Sequence, residues 1–225
     1  MARDFDGTND KLDFGSDASI DDFVTKSVSL WLTVDSLASE RLIVAKDRGA
    51  AEWGVTVPTT GVVRFNQLFS TTGGSWEAPA ASVAAGALVH VAVTYDRSLT
   101  TDDPVFYIDG ASVTVTEVQT PVGTSSADAT RSLQAGETGT GTLDLDGRIG
   151  HLAYHDAILD AAAINRARWW GRPHGGMKVY HPLWTAELVN KGSATANGTA
   201  TGTTVINSSL PRVERCHGSM MGVGR

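Results

Sequence analysis

The sequence has little of several features that would identify whole classes of protein. It contains one cysteine, Cys216, so no disulfide can form within the chain. It has no apolar run close to the roughly 20 residues that cross a bilayer, which excludes a membrane-spanning helix as the organising element. Residues 1–4 lead directly into a strand-like pattern, without the basic and apolar regions of a secretory leader. These absences predict a protein made and folded in a reducing cytoplasm, with no membrane partner.

Clustered positive charge is also missing. The chain has 18 Lys and Arg residues against 25 Asp and Glu residues, a formal net charge of −7, and the charges are scattered rather than grouped by sign. Nucleic acids require a concentrated basic surface because each phosphate carries a negative charge. The composition therefore argues against nucleic acid as a partner.

Short alternating runs separated by Gly, Pro, Asp, Ser and Thr make up most of the chain. The clearest stretch is 88–115, where apolar side chains occupy the odd positions from Val89 to Tyr95. Val105–Ile108 and Ala111–Val115 then flank Asp109-Gly110, a pair that favours the tight turn of a β-hairpin. The aromatic and β-branched residues of this stretch predict a strand and a hairpin at the centre of a sheet.

The remaining pattern predicts about a dozen strands and little helix, which is typical of an all-β fold with two antiparallel sheets packed as a jelly-roll sandwich. One short helix is expected after the last strand. Asp160 is a good N-cap, three alanines follow, Arg166 and Arg168 suit the last turn, and Gly171 is a natural stop. We expect this helix to cap the edge of the sandwich.

Several motifs together carry a family resemblance. They are FDGTNDKLDFG (5–15), VSLWLTVD (28–35), IVAKD (43–47), LVHVAVTYD (88–96), FYIDGASV (106–113) and GRIGHLAYHDAILDAAAINRA (147–167). The sequence resembles the laminin-G-like, concanavalin A-like jelly-roll domain over roughly residues 3–170. The resemblance implies two antiparallel sheets packed face to face. Because this fold serves lectins, adhesion modules, glycosidases and inert structural parts, it leaves the function open.

We accordingly predict a domain at residues 1–171 and a C-terminal extension at residues 172–225. The extension is rich in Gly, Ser and Thr and cannot support a core of its own. Its apolar side chains would be costly to expose, so they should pack on the domain or on a neighbouring subunit. The candidate assembly contacts are Val179, Tyr180, Leu183 and Trp184. His-Pro-Leu-Trp followed by this run also resembles the tail after jelly-roll domains in many bacteriophage and prophage proteins.

Catalytic residues are not predicted. Glucanases of this architecture carry a Glu-x-Asp-x-Glu strand, since retaining hydrolysis needs two carboxyl groups about 5 Å apart. The glutamates of this chain occur singly, and the closest acidic pattern is Asp144 and Asp146. Alternate residues on a strand would share a face, but solvent-facing aspartates before the turn at Gly147 are the favoured interpretation. The chain is therefore predicted not to be an enzyme.

No metal or cofactor is predicted either, although calcium is kept as an alternative. His151 and His155 would lie about 13 Å apart on a strand, too far to share a zinc ion. Calcium prefers six to eight converging oxygens, and related domains often hold it at the rim of the sandwich. The candidate ligands are Asp6, Asn9, Asp10, Asp144 and Asp146. Acidic residues in turns usually form hydrogen bonds with the neighbouring backbone, and this is the favoured interpretation of these residues.

Glycan binding would use an exposed aromatic platform beside polar loops. Ser70–Ala87 is expected to be mostly loop, with one short strand near Trp76, and Trp76 is the best-placed candidate for such a platform. Trp53 is the second candidate, with core packing as its alternative.

Three functions from different classes remain. The first is a non-enzymatic bacteriophage virion structural protein, most simply a capsid decoration protein on the outer particle surface, with a head or tail fibre as a variant. Such a protein would contact the major capsid protein or other virion proteins, and it would form a symmetric homo-oligomer, with a trimer as one candidate. The second is a carbohydrate-binding adhesion module for glycans of a host surface. The third, a glycoside hydrolase, is least supported because the carboxylate pair is missing.

Overall fold

Within the residues that the structure describes, alternating side chains build an all-β sandwich with one helix, as the sequence predicts. The computed structural model describes residues 2–47, 52–137, 143–170, 177–183 and 190–206. The strands in these residues are β1 (Ala2–Asp6), β2 (Lys11–Asp13), β3 (Thr25–Val34), β4 (Arg41–Asp47), β5 (Trp53–Val57), β6 (Arg64–Gln67), β7 (Gly74–Glu77), β8 (Leu88–Asp96), β9 (Val105–Ile108), β10 (Ala111–Val113), β11 (Thr116–Gln119), β12 (Ser132–Ala135), β13 (Asp146–His155), β14 (Met177–His181), β15 (Thr199–Thr201) and β16 (Thr204–Ile206). The helix, α1, is Ala161–Trp170.

The strands form two antiparallel sheets. The first sheet has the order β10-β9-β8-β3-β13-β1-β16, and β14 also pairs with β13. The second sheet has the order β11-β7-β6-β5-β4-β12-β2-β15. One face of each sheet supplies the core between them, as the period of two along each strand requires. Leu30 of β3 and Val91 of β8 belong to the same buried cluster as Val55 of β5 and Phe65 of β6.

The hairpin of β9 and β10 forms where the sequence predicts it, but its place in the sheet differs from the prediction. Asp109 and Gly110 both adopt positive φ angles, 53° and 83°, as the tight turn requires. β8 lies inside the first sheet between β3 and β9, whereas β10 forms its edge. Strand propensity indicates that a segment fits a half-buried pleated surface, but it does not indicate how many strands lie beyond that segment. The prediction that the hairpin lies at the centre of the sheet is therefore wrong for β10.

The predicted helix is also present, on a different surface from the one expected. The Ala163 amide donates to Asp160 Oδ1 at 2.7 Å, which confirms the N-cap. Ile164 is fully buried in a cluster that includes Ala92 of β8 and Tyr107 of β9. α1 therefore packs on the outer face of the first sheet and not on the edge of the sandwich. The small side chain of Ala92 leaves room for the helix, and Gly171 lies outside the described residues.

The described parts of the C-terminal extension complete both sheets. β14 pairs with β13, β15 with β2, and β16 with β1. Val179, Tyr180 and Leu183 are buried, so the chain's own residues cover these three candidate assembly contacts. Trp184 lies outside the described residues. In the described part of the chain, no helix combines the length and apolar character that a bilayer crossing requires.

Candidate functional site

The two tryptophans proposed as glycan platforms lie inside the sandwich. Trp76 is on β7 and Trp53 is on β5, and both side chains have 0% exposed surface. The Trp76 ring packs against Phe65 and Tyr95. An indole with no exposed face cannot stack on a sugar, so the prediction of a glycan platform is wrong for both residues. For Trp53 the alternative, core packing, is confirmed. The Gly-Gly-Ser context of Trp76 is typical of a loop, yet alternation along β7 turns its ring inward.

Two cavities lie beside the segment 97–104 that joins β8 to β9. A cavity of about 340 Å³ lies on one side of this segment. We call it the first cavity; it is lined by Val24, Phe69, Arg97, Ser98, Thr100, Gly123, Thr124 and Ser125. Four Ser and Thr residues, one arginine and two apolar residues thus border the same space. Sites for small ligands commonly have this size and mixture.

A buried ionic network holds the loops around the first cavity. The Asp22 amide donates to Asp128 Oδ1 at 2.6 Å, and the Asp128 amide donates to Asp22 Oδ1 at 2.7 Å. These two bonds join the segment before β3 to the segment before β12. Arg97 adds a third segment, because its Nη2 lies 3.6 Å from Asp22 Oδ1 and its Nη1 donates to the Ser126 carbonyl. The wall of the cavity is therefore held by charge-assisted bonds.

Two lysines lie on the inner side of this network. Lys46 Nζ is 3.4 Å from Asp128 Oδ1 and also pairs with Asp21. Lys26 Nζ is 4.0 Å from Asp128 Oδ2 and donates to Gln67 Oε1 at 3.1 Å. Burial lowers the pKa of Lys26 to about 7, although the negative charge of Asp128 opposes this shift. The network therefore carries a group whose charge changes near neutral pH.

A second cavity, of about 320 Å³, lies on the other side of the same segment. It is lined by Thr94, Tyr95, Asp96, Thr101, Asp102, Asp103, Val105 and Ile158. Trp76 contributes indirectly, since its Nε1 donates to Asp103 Oδ1 at 2.7 Å. Sequence reasoning missed both cavities. The acidic sequence of the segment between β8 and β9 was available as a signal, but only the fold shows which strands and loops surround it.

The chain matches a known protein family over most of its length. A laminin G family profile, described as the concanavalin A-like lectin/glucanases superfamily, matches residues 6–165. The chain belongs to this superfamily. No curated protein matches the chain significantly.

Solved structures agree with this laminin-G-like fold. A candidate carbohydrate binding protein from Bacteroides ovatus aligns with a TM-score of 0.68 and 13% identity, over 93% of this chain and 60% of that protein. The heptameric SAP-like pentraxin of Limulus polyphemus aligns with a TM-score of 0.64 and 13% identity, over 94% and 96%. A carbohydrate-binding module of a Ruminococcus gnavus sialidase, bound to α2,3-sialyllactose, gives 0.51 and 14%, over 68% and 91%. At these identities the likeness establishes the fold, which is lectin-like, and this chain spans 60% of the Bacteroides protein.

Because the superfamily includes glucanases, the positions of the carboxyl groups in this laminin-G-like chain bear on whether it could hydrolyse a glycan. Asp146 begins β13, whereas Asp144 precedes the strand, so the alternation expected for this pair does not apply. Burial raises the pKa of Asp144, and the nearby charge of Glu137 raises it further. Glu40 and Glu77 lie on either side of Arg64, at 3.4 and 2.6 Å from its nitrogens. These two ion pairs give the glutamates a structural role beside the second sheet.

The candidate calcium ligands lie at the opposite end of the sandwich from the cavities. Burial raises the pKa of Asp10, and the charges of Asp6, Asp4 and Asp144 raise it further, while a hydrogen bond from the Asp6 amide opposes the shift. Asn9 adopts a positive φ of 53°, as expected of a turn residue. Within the described residues, no three His, Cys, Asp or Glu side chains converge closely enough to hold a metal ion.

The histidines of the described residues are buried parts of the framework. His90 stacks edge-on against Trp31 with 5.3 Å between ring centroids, and His181 stacks on Phe14 at 4.6 Å. His151 Nδ1 lies 2.9 Å from the hydroxyl oxygen of Tyr180. A register shift in β13 next to His151 interrupts the regular strand spacing that was assumed for His151 and His155.

An exposed tryptophan was missed by sequence reasoning. Trp169, near the end of α1, has half of its side chain exposed. The Arg168 guanidinium lies 4.6 Å from the Trp169 ring and 5.4 Å from the Trp31 ring, so it is held by both. Asp109 anchors the same guanidinium through its Oδ1 at 3.1 Å. The predicted helix was the available signal in the sequence. Ile164 and Trp169 are five residues apart, so they lie on different sides of the helix, and Trp169 points away from the buried side.

Proposed function

We propose that this laminin-G-like domain is a non-enzymatic glycan-binding module. The observation that carries the proposal is the pair of cavities on the two sides of segment 97–104. The volume of each is near the lower end of the range found for ligand sites, and each combines hydroxyl or charged side chains with apolar ones. The likeness in fold to a candidate carbohydrate binding protein and to a carbohydrate-binding module supports this function. The missing Glu-x-Asp-x-Glu strand argues against hydrolysis.

Substitutions at two adjacent loop positions test the proposal. Thr100 lines the first cavity and Thr101 lines the second, so Thr100→Trp and Thr101→Trp should each fill one cavity. Ser112→Trp, on the exposed edge strand β10, is the matched control. On a glycan array the unaltered domain and the control should bind the same glycans, while at least one cavity-filling variant should lose them. A domain that binds no glycan, or binding that survives both cavity-filling substitutions, would refute the proposal.

A second candidate function is a structural role in a bacteriophage virion, as a decoration or fibre protein on the outer particle surface. The resemblance of His-Pro-Leu-Trp and the following run to phage protein tails supports it. A specific structural observation also favours assembly: β11 is an edge strand whose four residues are exposed, and Val118 and the nearby Val122 are about half exposed. Such an edge suits pairing with another subunit, in a homo-oligomer or against the major capsid protein.

Mass spectrometry of purified particles tests this second candidate. The chain should be present at a copy number that matches a symmetric set of capsid or fibre positions. Its absence from particles whose genome encodes it would exclude the virion role and leave glycan binding unaffected.

A further inference from the structure

The sequence contains one Asn-Gly pair, Asn197-Gly198, and the structure leaves its asparagine exposed. Asn197 lies in the segment that precedes β15, outside any strand. Water can therefore reach its side-chain amide, and no ladder of strand hydrogen bonds fixes the backbone at this position.

A backbone amide contacts the side chain of Asn197. The Asn190 amide donates to Asn197 Oδ1 at 3.0 Å. Because a backbone N–H can only donate, the acceptor must be the side-chain oxygen and not Nδ2. The contact draws electron density away from Cγ, and it would stabilise the negative charge that forms on Oδ1 when a nucleophile attacks that carbon. The side chain is thus held in a form that favours attack at Cγ.

The neighbouring Gly198 supplies the nucleophile. Its nitrogen can approach Asn197 Cγ because glycine has no side chain to obstruct the approach and few restrictions on its backbone angles. Among the described residues, no hydrogen bond uses the Gly198 amide. The nitrogen is therefore not held away from the side chain by a partner in the described part of the chain.

The other described asparagines lack this combination. Those that precede a residue with a side chain are Asn9, Asn66, Asn165 and Asn190. Asn165 in addition lies in α1, and its Nδ2 donates to the carbonyls of Gly110 and Ala161. Within the described residues, attack by the following amide is thus expected at Asn197 alone.

We propose that Asn197 is a site of spontaneous deamidation and isomerisation, with water as the co-reactant. The Gly198 nitrogen bonds to Asn197 Cγ, the Cγ–Nδ2 bond breaks, and ammonia leaves with the proton that the Gly198 amide gives up. Water then opens the resulting succinimide. Attack of water at Cγ gives aspartate, and attack at the main-chain carbonyl carbon gives isoaspartate, in which the chain continues through the side-chain carboxyl group. This inference does not depend on the proposed glycan-binding function.

The modification acts at a junction between two C-terminal strands. The Asn190 side chain accepts from the Tyr180 amide at 2.8 Å and donates to the Lys178 carbonyl at 2.9 Å, so it binds two residues of β14. Asn197 in turn accepts from the Asn190 amide just before β15 begins at Thr199. An aspartate at position 197 keeps an acceptor for this bond, whereas isoaspartate lengthens the main chain and displaces the acceptor. Isomerisation should therefore loosen the connection between β14 and β15.

Peptide mapping by mass spectrometry tests the inference on the full-length chain, incubated at mildly alkaline pH. The peptide that contains Asn197 should gain the mass difference between water and ammonia, and an isoaspartate methyltransferase should label it. Peptides that contain the other described asparagines are the internal controls and should not change. An unmodified Asn197 peptide would overturn the inference. Conversion to aspartate alone would also overturn it, because a succinimide opens to both products.

A synthetic peptide of residues 191–203 gives the rate of the reaction without the fold. Because the Asn190 amide assists the attack, conversion in the folded protein should be at least as fast as in this peptide. Slower conversion in the protein would show that the Asn190 amide does not assist, which contradicts that part of the inference.

Two variants separate the reaction from its consequence. Gly198→Ala should lose most of the conversion over the same period, since the added methyl group hinders the approach of the nitrogen to Cγ. Asn197→Asp should keep the unfolding temperature of the unaltered protein, whereas the isoaspartate fraction of aged protein, isolated by chromatography, should unfold at a lower temperature. An unchanged rate in Gly198→Ala would overturn the assigned nucleophile. Equal unfolding temperatures for Asn197→Asp and the isoaspartate fraction would overturn the structural consequence.

Discussion

At the scale of single residues, burial decides the charge of several histidines. Burial lowers the pKa of His90 to about 3 and the pKa values of His151 and His181 to about 4. All three stay neutral in the folded protein at pH values where a histidine of the unfolded chain is already protonated. As the pH falls below about 6.5, the unfolded state therefore binds more protons and the free energy of unfolding decreases.

Replacing His90 should reduce this acid sensitivity. The loss of stability from one such histidine approaches about 1.4 kcal/mol per pH unit between its unfolded and folded pKa values. His90→Phe should therefore give a shallower fall in the free energy of unfolding from about pH 6.5 to pH 4 than the unaltered protein. Urea unfolding followed by circular dichroism measures both profiles. Parallel profiles would show that His90 does not contribute.

At the scale of elements, the loops at the cavity end depend on a buried charge. Asp128 is 0% exposed, lies close to Lys26 and Lys46, and joins two loops through its bonds with Asp22. Burying a lysine side chain without an opposite charge is costly, so the two lysines require the negative charge of Asp128 beside them. The first cavity thus exists because a buried ionic network keeps separate chain segments together.

Removing the charge of Asp128 should destabilise the domain strongly. Asp128→Asn preserves the shape of the side chain but leaves Lys26 and Lys46 with less compensation, and the free energy of unfolding should fall by about 3–5 kcal/mol. Glu117→Gln, an exposed charge change, should alter stability by less than about 0.5 kcal/mol. Denaturant unfolding of the two variants gives the comparison. A small effect for Asp128→Asn would mean that the network is not a stabilising element.

At the scale of the whole molecule, the C-terminal extension belongs to both sheets. β14 adds Val179 to the core, and Leu183 follows it at 1% exposure. β15 and β16 form the ends of the second and first sheets, respectively. The extension therefore contributes to the stability of the sandwich, whatever else it contacts.

Two truncations should separate these roles. Removing residues 177–225 takes away the three C-terminal strands and should lower the unfolding temperature by about 10 °C or more, since two buried aliphatic side chains alone contribute about 3–6 kcal/mol. Removing residues 207–225 takes away no described strand and should change it little. Differential scanning calorimetry provides both values. Equal unfolding temperatures for the two truncations would contradict a structural role for the strands.

The sequence by itself determined the fold class, the hairpin at Asp109-Gly110 and the helix after Asp160, because these follow from local periodicity, turn chemistry and capping. It also identified the strands of the laminin-G-like motif. It did not determine that Trp76 points inward, that β10 is an edge, or that α1 covers a sheet face, because each depends on the neighbours that a segment meets. The cavities beside segment 97–104 were decided by the tertiary structure alone. They combine Phe69, Arg97, Thr124 and Ile158 from distant parts of the chain, and only the packing of the two sheets brings such residues together.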